Sequence, residues 1–280
     1  MNISVIIPTY NRARTIERAL LSVLRQTYPA LEIIVVDDAS DDSTPEILAE
    51  FKGKIKLITN ESNRGVSFSR NVGINSARGD WIAFLDSDDR WDKHKLETQK
   101  MYHDANPEFH ISQCDEIWIR NGVRVNPMAK HEKQGGWIFQ ACIPRCIVSP
   151  SAAIIHRNVF KDVGLFDVHL MACEDYDLWL RIAPFYEIGF LAKKLITRYG
   201  GHEDQLSRKY WGMDRFRITA MEKHINRSLD PDDKKILLEE LVLKCGVVAE
   251  GARKRDNPEL NERYLEKQKE YQNRLAASIQ

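Results

Sequence analysis

Trp81-Ile-Ala-Phe-Leu-Asp-Ser-Asp-Asp89 is an apolar run that stops at three carboxylates within four residues. The pattern predicts a buried strand delivering Asp86, Asp88 and Asp89 to its carboxyl end, where open α/β sheets bind their ligands. Carboxylates this crowded repel one another unless positive charge lies between them. A hard divalent cation carrying a phosphorylated ligand meets that need, and a surface turn whose aspartates cap the next helix is the plainer alternative.

Upstream, Ile3 to Pro8, Leu31 to Val36 and Ile55 to Thr59 are further apolar, β-branched runs. Between them, Thr15 to Gln26 and Val66 to Ala77 carry helical spacing, and Asp41-Asp-Ser-Thr-Pro45 has the signals of a helix start. Four strands alternating with helices over about ninety residues predict a parallel sheet covered on both faces. The polar ends Thr9-Tyr10-Asn11, Asp37-Asp38 and Asp86 to Asp89 should then line one crevice. Neither a G-x-G-x-x-G fingerprint nor a Walker lysine motif is present, which speaks against dinucleotide-binding and P-loop folds.

From Ile111 to Val125 the pattern alternates, and Asn121-Gly122 signals a hairpin and a change to antiparallel strands. Ile147 to His156 and Ile188 to Tyr199 read as strands, and Val159 to Gly164 and Asp177 to Ala183 as helices. Beyond about Asp204 the chain turns helical and charged. Lys234 to Glu250 has a broad apolar face behind an Asp230-Pro start signal, and Leu260 to Leu275 is more polar.

The 280-residue chain is 43% hydrophobic, with 41 basic and 41 acidic residues. Zero formal net charge speaks against a nucleic-acid-binding field. Five scattered cysteines do not form a disulfide framework and suit a reducing compartment, with Cys142 and Cys146 read as packing thiols. The amino terminus runs straight into a strand pattern without the features of a signal peptide, and no apolar run is long enough to span a membrane.

Val5-Ile-Ile-Pro-Thr-Tyr-Asn11, Val35-Val-Asp-Asp-Ala-Ser40, Asn63-Arg-Gly65 with Ser69-Arg-Asn71, Phe84-Leu-Asp-Ser-Asp-Asp89 and Glu174-Asp-Tyr-Asp-Leu-Trp-Leu-Arg181 occur in that order. Together they resemble the family 2 glycosyltransferases of the GT-A fold over about residues 1 to 205. The resemblance implies an α/β fold with a Rossmann-like, mostly parallel sheet. Residues 1–105 would form the nucleotide-sugar-binding half, 106–205 an antiparallel acceptor-binding half, and 206–280 a C-terminal helical extension.

By that resemblance, Asp38 reads the base, and its acceptor-only carboxylate suits the imide N–H of uracil. Pro8, Thr9 and Tyr10 pack against the nucleoside, and Arg64 serves the base and diphosphate. Asp86-Ser87-Asp88 resembles the D-x-D motif, with Asp88 a ligand of Mn²⁺ or Mg²⁺ and Asp86 on the donor side, while Asp89 caps the following helix. Asp175 is the catalytic base, and Glu174, the other catalytic acid, orients the acceptor or its neighbours. Trp179 stands one helical turn on as a floor for the acceptor sugar, and His202 completes the metal site or contacts the diphosphate.

The implied reaction is inverting transfer of a sugar from a UDP-sugar to a carbohydrate or glycolipid acceptor. Without a Gln-x-x-Arg-Trp motif, single-sugar transfer in bacterial surface glycan assembly is expected. The expected setting is cytoplasmic, extending to peripheral association with the inner face of the membrane and to a homodimer through the C-terminal helices. A sugar-phosphate nucleotidyltransferase and a non-catalytic nucleotide-sugar-binding scaffold are the competing readings.

Overall fold

The computed structural model describes residues 1–126, 128, 132–201 and 210–278. Its first half alternates β1 (Ile3–Thr9), α1 (Ile16–Leu24), β2 (Glu32–Asp37), α2 (Thr44–Ala49), β3 (Lys56–Thr59), α3 (Val66–Ser76) and β4 (Trp81–Phe84). Then come β5 (Arg90–Trp91), α4 (Lys95–Ala105), β6 (Ile111–Arg120), β7 (Val123–Val125), α5 (Phe139–Cys142), β8 (Ala153–His156), α6 (Arg157–Val163), α7 (Glu174–Ile182) and β9 (Gly189–Gly200). Three helices follow: α8 (Asp214–Glu222), α9 (Pro231–Arg253) and α10 (Pro258–Ser278).

The strands form one sheet in the order β3-β2-β1-β4-β8-β6-β9-β5, with β7 paired to β6. β1 to β4 pair in parallel as the apolar runs predict. Every residue of β1 is buried because both faces are covered. Ile3, Val5 and Ile7 pack with Leu20 and Leu48 on one side, while Ile6 packs with Ile74 and Phe84 on the other. A Cβ on Gly73 would lie 2.4 Å from the Ile6 side chain, so glycine lets α3 approach β1 closely.

The hairpin reading holds: Asn121 and Gly122 both take positive φ, 49° and 78°, and join antiparallel β6 and β7. Two expectations need correction. The second half is not purely antiparallel, since β9 runs parallel to β6 through an irregular register near Asp115. The strand expected over residues 147–156 is confined to Ala153–His156, because Pro150 opens a 3₁₀ turn that stops sheet pairing.

Asp230 caps α9 by accepting from the Asp232 N–H at 2.9 Å. Leu237, Leu241 and Cys245 of α9, with Tyr264 and Tyr271 of α10, join the same core as α3 and α7. α8 packs directly on α7, and α9 packs on α8 with α10 beside it.

Candidate active site

The site is assembled at the carboxyl ends of β1, β2 and β4, where loops leave a buried sheet and must satisfy their own polar groups. The loop after β1 is tied to the loop after β2. Asn11 donates through Nδ2 to Asp41 at 2.6 Å and accepts from the Asp41 N–H at 2.9 Å. Arg12 N–H donates to the Thr44 hydroxyl at 2.8 Å, and Ala13 N–H to Asp42 at 3.1 Å. Asn11 and Ala39 both hold left-handed φ, 52° and 61°, strain typical of positions over-determined by their surroundings.

Pro8 and Thr9 are buried at the end of β1, while Tyr10 is 39% exposed at the loop tip. Asp38 is 3% exposed. Its carboxylate accepts from Asn60 Nδ2 at 2.6 Å, Gly65 N–H at 2.7 Å and Arg64 N–H at 3.1 Å. It anchors the loop that opens α3 rather than the segment that follows it in sequence. The Arg64 guanidinium lies exposed over the Phe68 ring, 3.6 Å from its centroid.

Across β4, Asp86, Asp88 and Asp89 have three different environments. Asp86 pairs with Arg70 at 2.8 Å, and its N–H donates to the Ser151 hydroxyl. Asp89 is no helix cap: its oxygens accept from Ser151 Oγ at 2.8 Å and Tyr199 N–H at 3.2 Å, with Arg198 3.9 Å away. It secures β9 to the end of β4, whereas Asp92 Oδ1 accepts the His94 N–H ahead of α4. Burial and the neighbouring charge of Asp88 push the Asp89 carboxyl well up.

Asp88 is raised by burial and by the charge of Asp86, against the lowering effect of Arg12 and Arg198. Arg18, stacked on Tyr199, donates to the Asp88 carbonyl. Among the described residues no three His, Cys, Asp or Glu side chains cluster as a cation-binding set. Asp88 nevertheless fits a divalent cation completed by phosphate oxygens, because a hard ion would relieve the carboxylate repulsion that raises it. His202 lies outside the described residues.

α7 brings the second acidic pair. Cys173, just before it, takes a left-handed φ of 60°, turning the chain so that Glu174 and Asp175 occupy the helix's first turn. The positive end of the helix dipole favours both acids there. Glu174 is 6% exposed and pairs with Arg70 at 2.8 Å. Burial and the Asp175 charge raise its carboxyl while Arg70 lowers it. Asp175 is half-buried; its Oδ1 accepts the Tyr176 N–H at 2.7 Å, and Oδ2 lies 3.5 Å from the Cys146 thiol.

Arg70 is the residue that sequence reasoning left out of the site. Its guanidinium, 3% exposed, joins Asp86 to Glu174 and so links the acids after β4 to those of α7. Only its place in Ser69-Arg-Asn71 hinted at this, since an arginine in a helix is ordinarily a solvated one. Trp179 corrects the opposite way: it is 2% exposed in the core beneath α7 and offers no open face to a sugar.

Residues 4–164 match the family model described as Glycosyl transferase family 2. The UDP-Glc:alpha-D-GlcNAc-diphosphoundecaprenol beta-1,3-glucosyltransferase WfgD of Escherichia coli is 35% identical over 199 residues, covering 69% of this chain and 76% of its own. An uncharacterised glycosyltransferase of Rickettsia conorii is 34% identical over 69% of this chain, and the match spans 32% of that longer protein. The fold matches S. aureus TarS 1–349, crystallised with UDP-GlcNAc, at a TM-score of 0.73 and 19% identity, over 98% of this chain and 92% of that one. With more than half its length matched by the family model and its sheet superposing on a GT-A enzyme, this chain belongs to the family 2 glycosyltransferases.

Proposed function

We propose that this glycosyltransferase moves a single sugar from a UDP-sugar to an acceptor hydroxyl with inversion, in the assembly of a bacterial surface glycan. The observation that carries the reading is the Arg70 bridge, which joins Asp86 after β4 to Glu174 at the start of α7. An inverting displacement needs both sides: charge neutralisation at the departing diphosphate and a base at the attacking hydroxyl. WfgD supports the donor and a lipid-linked acceptor by its name, and the TarS complex supports a UDP-sugar.

In this assignment Pro8, Thr9 and Tyr10 line the nucleoside, and Asp38 meets the base through the lone pairs left by its loop contacts. Arg64 swings from Phe68 toward the diphosphate. Asp88 and His202 would hold Mn²⁺ or Mg²⁺, which when bound supplies positive charge to the leaving diphosphate. Asp175 takes the acceptor proton, and Glu174, held by Arg70, keeps the first turn of α7 in place. The donor half ends near residue 105, the acceptor half near 205, and the remaining helices form an extension. No helix among the described residues is long and apolar enough to cross a membrane. A lipid-linked acceptor such as the one in WfgD's name would be met by peripheral contact at the inner face of the membrane.

Asp175→Asn tests the assignment. UDP with Mn²⁺ should raise the Tm of both forms, while transfer in the variant falls about 10²- to 10⁴-fold. Unchanged turnover would move the base elsewhere, and no thermal shift with any nucleotide would remove the donor.

A further inference from the structure

Cys146 lies in the segment between α5 and β8, which is fastened to α7 by the Tyr176 hydroxyl donating to the Ile143 carbonyl. Its thiol stands 3.1 Å from the Val148 carbonyl oxygen and 3.5 Å from Asp175 Oδ2. One S–H proton thus faces two acceptors, one of them the carboxylate assigned as the base. We infer that Cys146 is a positioning residue for sugar transfer, a weak donor that fixes the Asp175 carboxylate for the acceptor hydroxyl. The inference rests on the assignment of Asp175 above.

The chemistry favours a thiol here. Asp175 Oδ1 is engaged by the Tyr176 N–H, so the orientation of the carboxylate depends on what holds Oδ2. An apolar neighbour would leave that oxygen to rotate. A hydroxyl would bind it more tightly and lower its basicity, because O–H is the stronger donor. A thiol holds the rotamer while leaving most of the proton affinity. Burial and the Asp175 charge push the Cys146 thiol well up, so it stays protonated and remains a donor. Among the described residues, Glu174, already paired with Arg70, and Cys173, whose thiol is pushed up to about 12 by burial, also interact electrostatically with Asp175.

The test compares Cys146→Ala, Cys146→Ser and Asp175→Asn in the full chain, reading kcat, donor KM, the acidic limb of the kcat/KM–pH profile, and Tm. Cys146→Ala should lower kcat about tenfold with donor KM unchanged, and its acidic limb should move to higher pH because Asp175 loses a donor to its charged form. Cys146→Ser should restore most of the rate and move the limb below its original position, because the hydroxyl is the stronger donor to the carboxylate. If Asp175→Asn is inactive but Cys146→Ala keeps the parent rate and limb, or serine fails to rescue it, the inference falls and the base assignment stands. Full activity in Asp175→Asn overturns both. Should the alanine variant not fold, a serine variant with a lowered acidic limb still supports the contact, and an unmoved limb overturns it.

Discussion

The strands β1 to β4 and the strands β6, β8 and β9 are one continuous sheet, yet they are stabilised differently. β1 is apolar apart from small or capping residues, and its burial is that of a hydrocarbon core. Around β6, buried charge replaces part of that core. Glu116, 4% exposed, pairs with Lys133 at 2.9 Å and Arg198 at 3.4 Å and accepts from Ser149 Oγ at 2.6 Å. Burial alone would raise the Glu116 carboxyl, but Lys133 and Arg198 hold it down at about 2. The difference teaches that a sheet can change its means of cohesion partway across, at β6 and the strands beside it.

The contrast can be broken most strongly at the junction. Arg70→Gln leaves Asp86 and Glu174 without their shared cation, and stability should fall by about 3–5 kcal/mol, with transfer largely lost. Denaturant unfolding with a parallel activity assay checks this; an unchanged midpoint would mean the bridge is not formed in solution. Within the charged half, Lys133→Met should cost less, about 2–3 kcal/mol, because Arg198 and Ser149 still serve Glu116. A stabilised variant would show that the ion pair is tolerated rather than required.

Acid should weaken both regions together. Burial lowers His103 to about 4 and His224 to about 3. Each is therefore neutral when folded and protonated when unfolded between its folded value and about 6.5. Stability is full above about pH 6.5 and lost as pH falls through that window, by about 2 kcal/mol per histidine at pH 5. Replacing His224 with Leu should flatten that part of the Tm–pH curve. The smallest effect belongs to Trp179→Phe. The indole N–H is buried with no partner among the described residues, so losing it offsets part of the cost of the cavity left by the smaller ring, and stability should fall by about 1 kcal/mol with acceptor KM unaltered. A raised KM would return Trp179 to the sugar.

What the sequence made legible follows from the same contrast. Apolar runs, the Asn121-Gly122 turn and the Asp230 cap are local signals, and each became the expected element. The D-x-D acids and the pair opening α7 were legible as motifs. Their connection was not, because Arg70 reaches 104 residues along the chain to Glu174 and no periodicity encodes such a meeting. The parallel pairing of β9 with β6 was hidden likewise, since alternation records which face is buried and not the direction of the neighbour. Trp179 misled because sharing a helical face with Asp175 does not say which of the two ends that face leaves open.

The Arg70 bridge has one consequence for anyone recombining such enzymes. A cation supplied by α3 and an acid supplied by α7 form a lock whose two parts travel on different segments. A chimera that imports a new second half of the chain without glutamate at position 174 inherits a buried guanidinium with one partner missing. The natural unit of exchange is therefore defined by matched charges rather than by the boundary between the halves, and a successful graft must carry both.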